Sequence, residues 1–143
     1  TAYDIRLSLV GSEMCIRDRL MTDNTYDKGM AVRRSVLGDE HVDRAEAGKN
    51  EFTEEFQEFI TRYAWGEIWT REGLDRKTRS CLVLAMMIAL HRPDEFRLHL
   101  KGALNNGLTT DEIKEVILHS AIYAGVPAAN SAFHWAREVL DDI

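Results

Sequence analysis

Two ionisable side chains lie among apolar residues, where loss of water shifts a pKa toward values useful for proton transfer. His99 lies between leucines on a predicted helix, so its ring is predicted to face a cleft between helices, and Glu95, one turn earlier, is placed to orient it. Glu67 lies between two tryptophans, where loss of water would adapt its carboxyl group to proton transfer. The competing interpretations are a structural histidine and a salt bridge from Glu67 to Arg71 at i, i+4.

A run of basic residues interrupts this acidic sequence. Such a run is usually a solvated face, but it also suits recognition of a small carboxylate ligand. Its members are Arg62, Arg71, Arg76, Lys77 and Arg79.

The sequence lacks the motifs of several common catalytic and binding sites. The sequence has no nucleotide-binding glycine loop, zinc pattern, HExxH or GxSxG motif. Cys81 lies inside the most apolar helix, where a thiol is usually inert packing and its pKa is raised. The five histidines fall on separate elements without the i, i+4 spacing of a metal site. We therefore predict neither a metal nor a cofactor.

Composition limits the class of protein. The chain has 143 residues, 45% hydrophobic and 29% charged, which is enough for one globular domain with a core. Its longest apolar run, Cys81–Leu90, is too short to cross a bilayer, which needs roughly 20 residues. The net charge of -6 argues against nucleic acid or an anionic membrane as partner. The cysteine usage is typical of a cytoplasmic protein without a disulfide.

The first nineteen residues resemble translated sequencing-adapter DNA. Leu9–Arg19 back-translates in one frame into a transposase-type read primer followed by its mosaic end. We therefore expect residues 1–20 to be a non-native, disordered tail and residues 21–143 to be a single domain, with Met21 as its natural start.

From Met21 onward, the hydrophobic spacing predicts about six helices and no strand. Turn and cap residues separate them, and Gly38–Asn50 is predicted to be a polar loop with a short helical turn. A bend or tight packing point is predicted at Trp65–Trp69. The predicted helices are Tyr26–Leu37, Glu51–Trp65, Thr78–His91, Asp94–Asn106, one that begins at a Thr109 or Thr110 cap and stops at Gly125, and one from Pro127 to about Leu140. The sequence thus predicts a compact all-α domain.

The central helix predicts association of several copies. Its sequence CLVLAMMIAL is apolar on every face, which is typical of a buried core helix. A chain of this size does not easily cover such a helix by itself. We therefore expect a homo-oligomer, with a well-packed monomer as the alternative.

Three stretches resemble the gamma-carboxymuconolactone decarboxylase family, in the same order and spacing. They read VRRSVLGDEHVDR, ITRYAWGEIWTREGLDRKTRS and LHLKGALNNGLTTDEIKEVILHSAIYAGVPAANSAFHWA. The resemblance implies an all-helical fold shared with alkylhydroperoxidase-like proteins, assembled as a trimer or hexamer. It also implies a carboxy-lyase that converts 4-carboxymuconolactone to beta-ketoadipate enol-lactone without a cofactor, in protocatechuate catabolism.

The resemblance also allows a rival activity to be checked. Hydroperoxidase members of the superfamily carry CxxC followed four residues later by a histidine. If that histidine is aligned with His99, the cysteine positions fall on Arg92 and Glu95, and the upstream acid falls near Ser80. Thiol peroxidase chemistry is therefore not expected.

Roles for individual residues follow from the implied reaction. His99 is expected to be the general acid or the oxyanion donor, with Glu67 as its partner or proton relay. Arg71 or Arg79 is expected to bind a substrate carboxylate. Further candidates for lining the pocket are Tyr123, Asn130 and His134. Two alternatives stay open: a related decarboxylase acting on another lactone or beta-keto acid, and a non-catalytic oligomeric binding module.

Overall fold

The computed structural model describes residues 24–143, and the predicted tail lies outside this range. The described residues form seven α-helices and one π-helical segment, with no strand among them. They are α1 (24–37), α2 (Asp39–Ala47), α3 (Glu54–Phe59), the π-helical segment (Ile60–Ile68), α4 (Arg76–Ala89), α5 (Pro93–Asn105), α6 (Thr110–Tyr123) and α7 (Val126–Asp141). The predicted all-α class is confirmed. None of the described helices is long and apolar enough to span a membrane.

The described chain divides into two compact units. The first unit contains the residues up to Arg33 together with Gly48–Thr70, and the second contains Arg34–Ala47 together with Arg71–Ile143. Helix α1 contributes its beginning to the first unit and its last turn to the second.

The first unit depends on close backbone contact between α1 and the π-helical segment. A side chain on Gly29 would meet the Thr61 carbonyl oxygen and the backbone of Gly66. A side chain on Gly66 would in turn meet the backbone of Thr25. Beside this contact the buried Arg33 donates from Nη1 to Thr61 Oγ1 at 3.3 Å. The tight packing predicted near Gly66 is therefore confirmed.

The helix predicted for Glu51–Trp65 is later and less regular than expected. Asn50 Oδ1 accepts hydrogen bonds from the backbone N–H groups of Phe52 (2.9 Å) and Thr53 (3.1 Å), which holds the first residues in a turn. The chain is α-helical only over Glu54–Phe59 and continues as a π-helix to Ile68. π-Helical turns inside helices are frequently found at functional sites.

Local cap signals set the helix ends of the second unit. The Asp75 side chain accepts from the N–H of Thr78 at 2.7 Å and begins α4. Thr109 and Glu112 form a reciprocal capping box at the start of α6. Left-handed glycines end α1, α5 and α6 at Gly38 (φ 91°), Gly107 (φ 95°) and Gly125 (φ 103°). These predicted boundaries are confirmed.

Helices α4 to α7 surround one apolar core. Its fully buried members come from facing sides of these helices, which is where the sequence places the apolar residues. They include Leu84, Ile88, Phe96, Leu100, Ile113 and Ile117.

Two predictions for this unit are wrong. The predicted loop at 38–50 contains helix α2, which has acidic residues in its first turn and is anchored by the fully buried Val42. Helix α4 is buried on one face only, because a single chain leaves Leu82, Met86 and Leu90 42%, 55% and 65% exposed.

We predict that Gly29→Ala lowers the free energy of unfolding by about 3 kcal/mol, because the added methyl group displaces backbone atoms that cannot rotate away. Urea denaturation measures the change. Gly73→Ala is the matched control, since nothing lies within 4 Å of a Cβ placed there. Equal stability of the two variants would contradict the close packing described for the first unit.

Candidate functional site

Helix α5, which carries His99, packs against the end of α1. One turn beyond His99, a Cβ on Gly102 would lie 3.0 Å from Val36 Cγ1. A further turn along, Asn105 Nδ2 donates to the Val36 carbonyl oxygen at 2.7 Å. Residues three positions apart are neighbours on the surface of a helix, so His99 lies next to Gly102, at the edge of the stripe that packs against the end of α1.

The turn at Gly38 brings helix α2 to the same place. The left-handed conformation of Gly38 ends α1, and α2 begins with the next residue. A cavity of about 660 Å³ lies between α2 and α5 within the second unit. His41 and Arg44 line it from α2, and Glu95, Leu98 and Lys101 line it from α5. His99 is not among the residues that line it, although its neighbours Glu95 and Leu98 are.

Burial and neighbouring charge keep the His99 imidazole neutral. Partial burial removes water from the ring and lowers its pKa to about 4. The Glu95 carboxylate opposes this shift, and the charge of His41 adds to it. The orienting role of Glu95 stays a prediction. At neutral pH, His99 is therefore an uncharged hydrogen-bond donor.

Ion pairs neutralise much of the charge around the cavity. Arg97 donates from Nε to Glu138 Oε2 at 2.8 Å and from Nη1 to Asp94 Oδ1 at 3.2 Å. On the other wall, Arg44 and Glu40 lie 3.9 Å apart. Lys101 is an exposed ammonium group on the cavity wall.

The predicted basic run contributes one partly buried guanidinium group to the second unit. Arg79 Nη2 donates to the carbonyl oxygen of Arg71 at 3.3 Å. Arg79 Nε is buried, and no hydrogen-bond partner for it exists among the described residues. The next residue, Ser80, accepts from Asn106 Nδ2 at 2.9 Å, so the start of α4 lies level with the end of α5. Asn106 is seven residues beyond His99, which corresponds to about 10 Å along α5.

The expectation that Glu67 loses water is wrong, because its side chain is exposed. Trp65 and Trp69 are buried and stack on each other with ring centroids 5.0 Å apart. The residue midway between two such neighbours points to the opposite side of the helix. Glu67 belongs to the first unit and His99 to the second, so the pairing of Glu67 with His99 stays a prediction.

The three predicted pocket-lining residues lie at the surface of the second unit. Tyr123 is at the end of α6, with its ring 5.0 Å from that of His119. Asn130 and His134 are exposed one turn apart on α7, as their spacing predicts. None of the three lines the cavity between α2 and α5, and their role stays a prediction.

His41 lines the cavity, although the sequence predicts no role for it. It is one of five histidines on separate elements, and it falls within the segment predicted to be a polar loop with a short helical turn. The sequence holds one signal that points to it: Gly38 followed by Asp39 and Glu40 is a helix stop followed by an acidic first turn.

The described residues do not form a reactive thiol site or a metal site. Burial raises the pKa of the Cys81 thiol, as predicted, and the Glu112 carboxylate raises it further. Between residues 24 and 143, no group of three or more His, Cys, Asp and Glu side chains is arranged to hold a metal ion.

Comparison with known proteins shows the relationship of this chain. The sequence model of the carboxymuconolactone decarboxylase family matches residues 54–138. The chain is 50% identical to 4-carboxymuconolactone decarboxylase of Acinetobacter baylyi over 85% of its own length and 90% of that protein. It is 43% identical to nitrosuccinic acid decarboxylase of Metarhizium robertsii over 82% of each chain. A 42-residue match to 4-carboxymuconolactone decarboxylase of Pseudomonas putida is 62% identical and covers 29% of this chain and 88% of that sequence. The family model matches most of the second unit, and the relatives match over most of their length. This chain therefore belongs to the carboxymuconolactone decarboxylase family.

Proposed function

We propose that this chain is a carboxy-lyase that converts 4-carboxymuconolactone to beta-ketoadipate enol-lactone. The observation that carries the proposal is the 50% identity to the Acinetobacter baylyi enzyme along 90% of that protein's length. A neutral imidazole at His99, on the helix that forms one wall of a cavity of about 660 Å³, suits the proposal.

The reaction needs no electron sink beyond the substrate. The departing carboxylate is vinylogous to the lactone carbonyl group, so the electrons of the breaking C–C bond move through the ring double bond to the carbonyl oxygen. The resulting 2-oxyfuran-like dienolate is then protonated on a ring carbon. The protein has to hold the acetate arm, stabilise the oxyanion and supply a proton.

Of the two roles expected for His99, the oxyanion donor suits its electrostatics better. A cationic imidazolium would also attract the leaving carboxylate and stabilise the ground state, which slows decarboxylation. A neutral imidazole donates a hydrogen bond that strengthens as charge develops on the lactone oxygen. The low pKa of His99 keeps it in this neutral form.

The retained carboxylate of the substrate suits Arg79. The buried Nε of Arg79 has an N–H group to offer, and its Nη2 bond to the Arg71 carbonyl fixes the plane of the guanidinium group. Arg71 is the alternative. Glu67 remains a proposed relay, and Tyr123, Asn130 and His134 remain proposed lining residues.

The second relative gives a specific reason for a second candidate substrate. Nitrosuccinic acid and 4-carboxymuconolactone both carry the leaving carboxylate on a carbon that bears a CH2–COO⁻ arm. In both acids an electron sink, nitro or unsaturated lactone, accepts the electrons. A site that binds the CH2–COO⁻ group and stabilises negative charge on the nitro or lactone oxygen would suit both acids. The 43% identity to the Metarhizium robertsii enzyme favours a test of nitrosuccinic acid.

We retain two broader expectations as proposals. Association into a homo-oligomer, trimer or hexamer, is supported by the apolar side chains that α4 leaves exposed, since contiguous apolar surface of this kind marks protein interfaces. A cytoplasmic location is supported by the cysteine usage alone.

The function is tested by mixing the full chain with freshly generated 4-carboxymuconolactone and following the reaction by NMR. We expect the enol-lactone and one equivalent of carbon dioxide. Nitrosuccinic acid and a beta-keto acid form the comparison panel. Turnover of a panel member alone would transfer the proposal to that substrate, and no turnover at all by folded protein would favour the non-catalytic binding module.

We predict that His99→Ala lowers kcat about 100-fold with a small change in KM, because an oxyanion donor acts mainly in the transition state. Steady-state kinetics with the preferred substrate measure both constants. His119→Asn, which removes an exposed imidazole on α6, is the control and keeps wild-type kinetics. Near-wild-type turnover by His99→Ala would remove His99 from the mechanism.

We predict that the neutrality of His99 also shapes stability against pH. With a pKa of about 4 in the folded protein and 6.5 in the unfolded chain, the group is neutral in both states above pH 6.5. As the pH falls from 6.5 to 4, only the unfolded chain takes up the proton, and the free energy of unfolding drops by about 3 kcal/mol. Urea denaturation between pH 7.5 and 4 measures the drop, and His99→Asn makes it smaller by that amount. Parallel curves for His99→Asn and the wild-type chain would contradict the assignment; the curve for His119→Asn serves as reference.

A further inference from the structure

We propose that an aromatic stripe on the first unit of one copy binds in a groove between α4 and α6 of a second copy. The aromatic stripe consists of Phe52, Phe56, Phe59 and Tyr63. The inference rests on the homo-oligomer proposed above and deepens it, because it names the two surfaces that meet and the way in which copies are joined. It does not depend on which acid the chain decarboxylates.

The aromatic stripe is an apolar helix face that the single chain leaves in water. Successive members are four, three and four residues apart, which places them on one side of the segment, and the rings of Phe59 and Tyr63 lie 5.0 Å apart. The four side chains are 94%, 61%, 57% and 49% exposed. They present about 500 Å² of ring surface, more than half of the roughly 800 Å² that each partner buries in a standard interface. Apolar patches of this size mark binding surfaces.

The side of the segment opposite the aromatic stripe is held by the rest of the first unit. Arg33 donates from Nη2 to Gln57 Oε1 at 3.0 Å and from Nη1 to Thr61 Oγ1 at 3.3 Å. At the start of the segment, Asn50 Oδ1 accepts from the N–H of Phe52 at 2.9 Å. The aromatic stripe is therefore presented on a fixed backbone, and little conformational entropy is lost when a partner binds it.

The second surface is a groove between α4 and α6, within the second unit. Its volume is about 420 Å³, and its apolar lining includes Leu82 and Ala85 of α4 and Val116 of α6. One turn beyond Leu82, the exposed side chain of Met86 extends this apolar surface. Amphipathic helices bind in such grooves through anchors spaced i, i+4 and i+7 along one side. The members of the aromatic stripe have this spacing.

The charges of the two surfaces are complementary. The segment that carries the aromatic stripe begins with three carboxylates, those of Glu51, Glu54 and Glu55. Within residues 24–143, none of these three takes part in an ion pair. Helix α4, in contrast, begins with Arg76, Lys77 and Arg79. In a chain with a net charge of -6, this basic run attracts an acidic segment, and opposite charges of this kind set partner choice and orientation.

The carboxylates beside the groove favour one direction of binding. Lys77 Nζ lies 3.4 Å from Glu112 Oε1, so the starts of α4 and α6 lie together and the charge of Glu112 is offset there. Glu115 lines the groove one turn further along α6 and repels another carboxylate. In the proposed complex, the acidic start of the bound segment therefore lies at the basic end of the groove, and Tyr63 lies toward the other end.

This contact joins copies head to tail. The aromatic stripe and the groove are different surfaces, so a copy that has bound one neighbour through its stripe still has its groove free for another. Association of this kind continues until the copies close a ring. The symmetric alternative, in which two stripes meet, would bring two sets of carboxylates together and is disfavoured. We therefore expect a closed ring rather than an isolated dimer.

The test removes each surface in turn and measures association of the full chain by sedimentation velocity over a concentration series. We expect Phe52→Ser/Phe56→Ser, and separately Leu82→Ser/Met86→Ser, to raise the midpoint concentration for association by about 100-fold, since a few buried anchors carry most of the affinity of an interface. Circular dichroism verifies the helical fold. The single variants Phe56→Ala and Leu82→Ala provide the same comparison if a double variant fails to fold.

The matched control is Ile143→Ser, which removes an apolar side chain that is 79% exposed and belongs to neither surface. It is expected to keep the wild-type midpoint. Glu54→Lys/Glu55→Lys, which leaves the rings in place, is expected to weaken association by about 10-fold, and added salt is expected to weaken association of the wild-type chain.

Mixing the two double variants distinguishes head-to-tail binding from symmetric association. Phe52→Ser/Phe56→Ser retains its groove, and Leu82→Ser/Met86→Ser retains its aromatic stripe. An equimolar mixture is therefore expected to form a 1:1 pair that does not grow further, although each variant alone is monomeric at the same concentration.

Three results would overturn the proposal. Association of either double variant at the wild-type midpoint shows that its surface is not used. Loss of association in both variants without pairing in the mixture shows that the two surfaces do not bind each other. A wild-type chain that stays monomeric overturns the homo-oligomer and this inference together. The enol-lactone assay is a separate measurement, so failure of the proposed reaction and failure of this interface are distinguishable.

Discussion

The contact between the last turn of α1 and the middle of α5 determines where the candidate site can form. The absence of a side chain at Gly102 lets Val36 approach closely, and the Asn105 amide satisfies the Val36 carbonyl oxygen at the point where α1 runs out of helical partners. Gly38 then turns the chain, so α2 begins next to α5 and forms the opposite wall of the cavity. The cavity follows from this one junction, which fixes both of its walls.

The electrostatics of the site follow from the same junction. Burial takes water away from His99 and lowers the pKa of its ring, and His41 of α2 adds to this shift. Carboxylates on both helices offset the cations, so the region is charged but close to balanced. Such a site can accept a small dianion without holding its leaving group too tightly, which is the requirement of a decarboxylation that has only the substrate itself as electron sink.

Local sequence signals predict most of the helix boundaries. The features that they do not predict depend on packing between segments that are far apart in the sequence. Asp75, Thr109 and the left-handed glycines act on their own neighbours, so the helix ends they set were predictable. Helix α2 has Val42 as its one buried residue, too little apolar spacing to stand out from a loop. The exposure of Met86 depends on which faces a single chain can cover. The cavity that His41 lines depends on the packing of α2 against α5, which is far from it in the sequence. The exposure of Glu67, in contrast, was already implied by the spacing of Trp65 and Trp69.

The π-helical segment has a consequence for how this chain can vary. A π-turn is equivalent to one extra residue accommodated within an α-helix, which rotates everything beyond it by about 100° around the axis. The length of this segment, as much as the residue types, therefore determines that the tryptophan pair faces inward and the Glu67 carboxylate faces outward. Relatives that lack a residue between positions 60 and 68 would turn a different set of side chains inward. An insertion or deletion in this segment would change which side chains face inward, whereas a substitution would change only the side chain at one position.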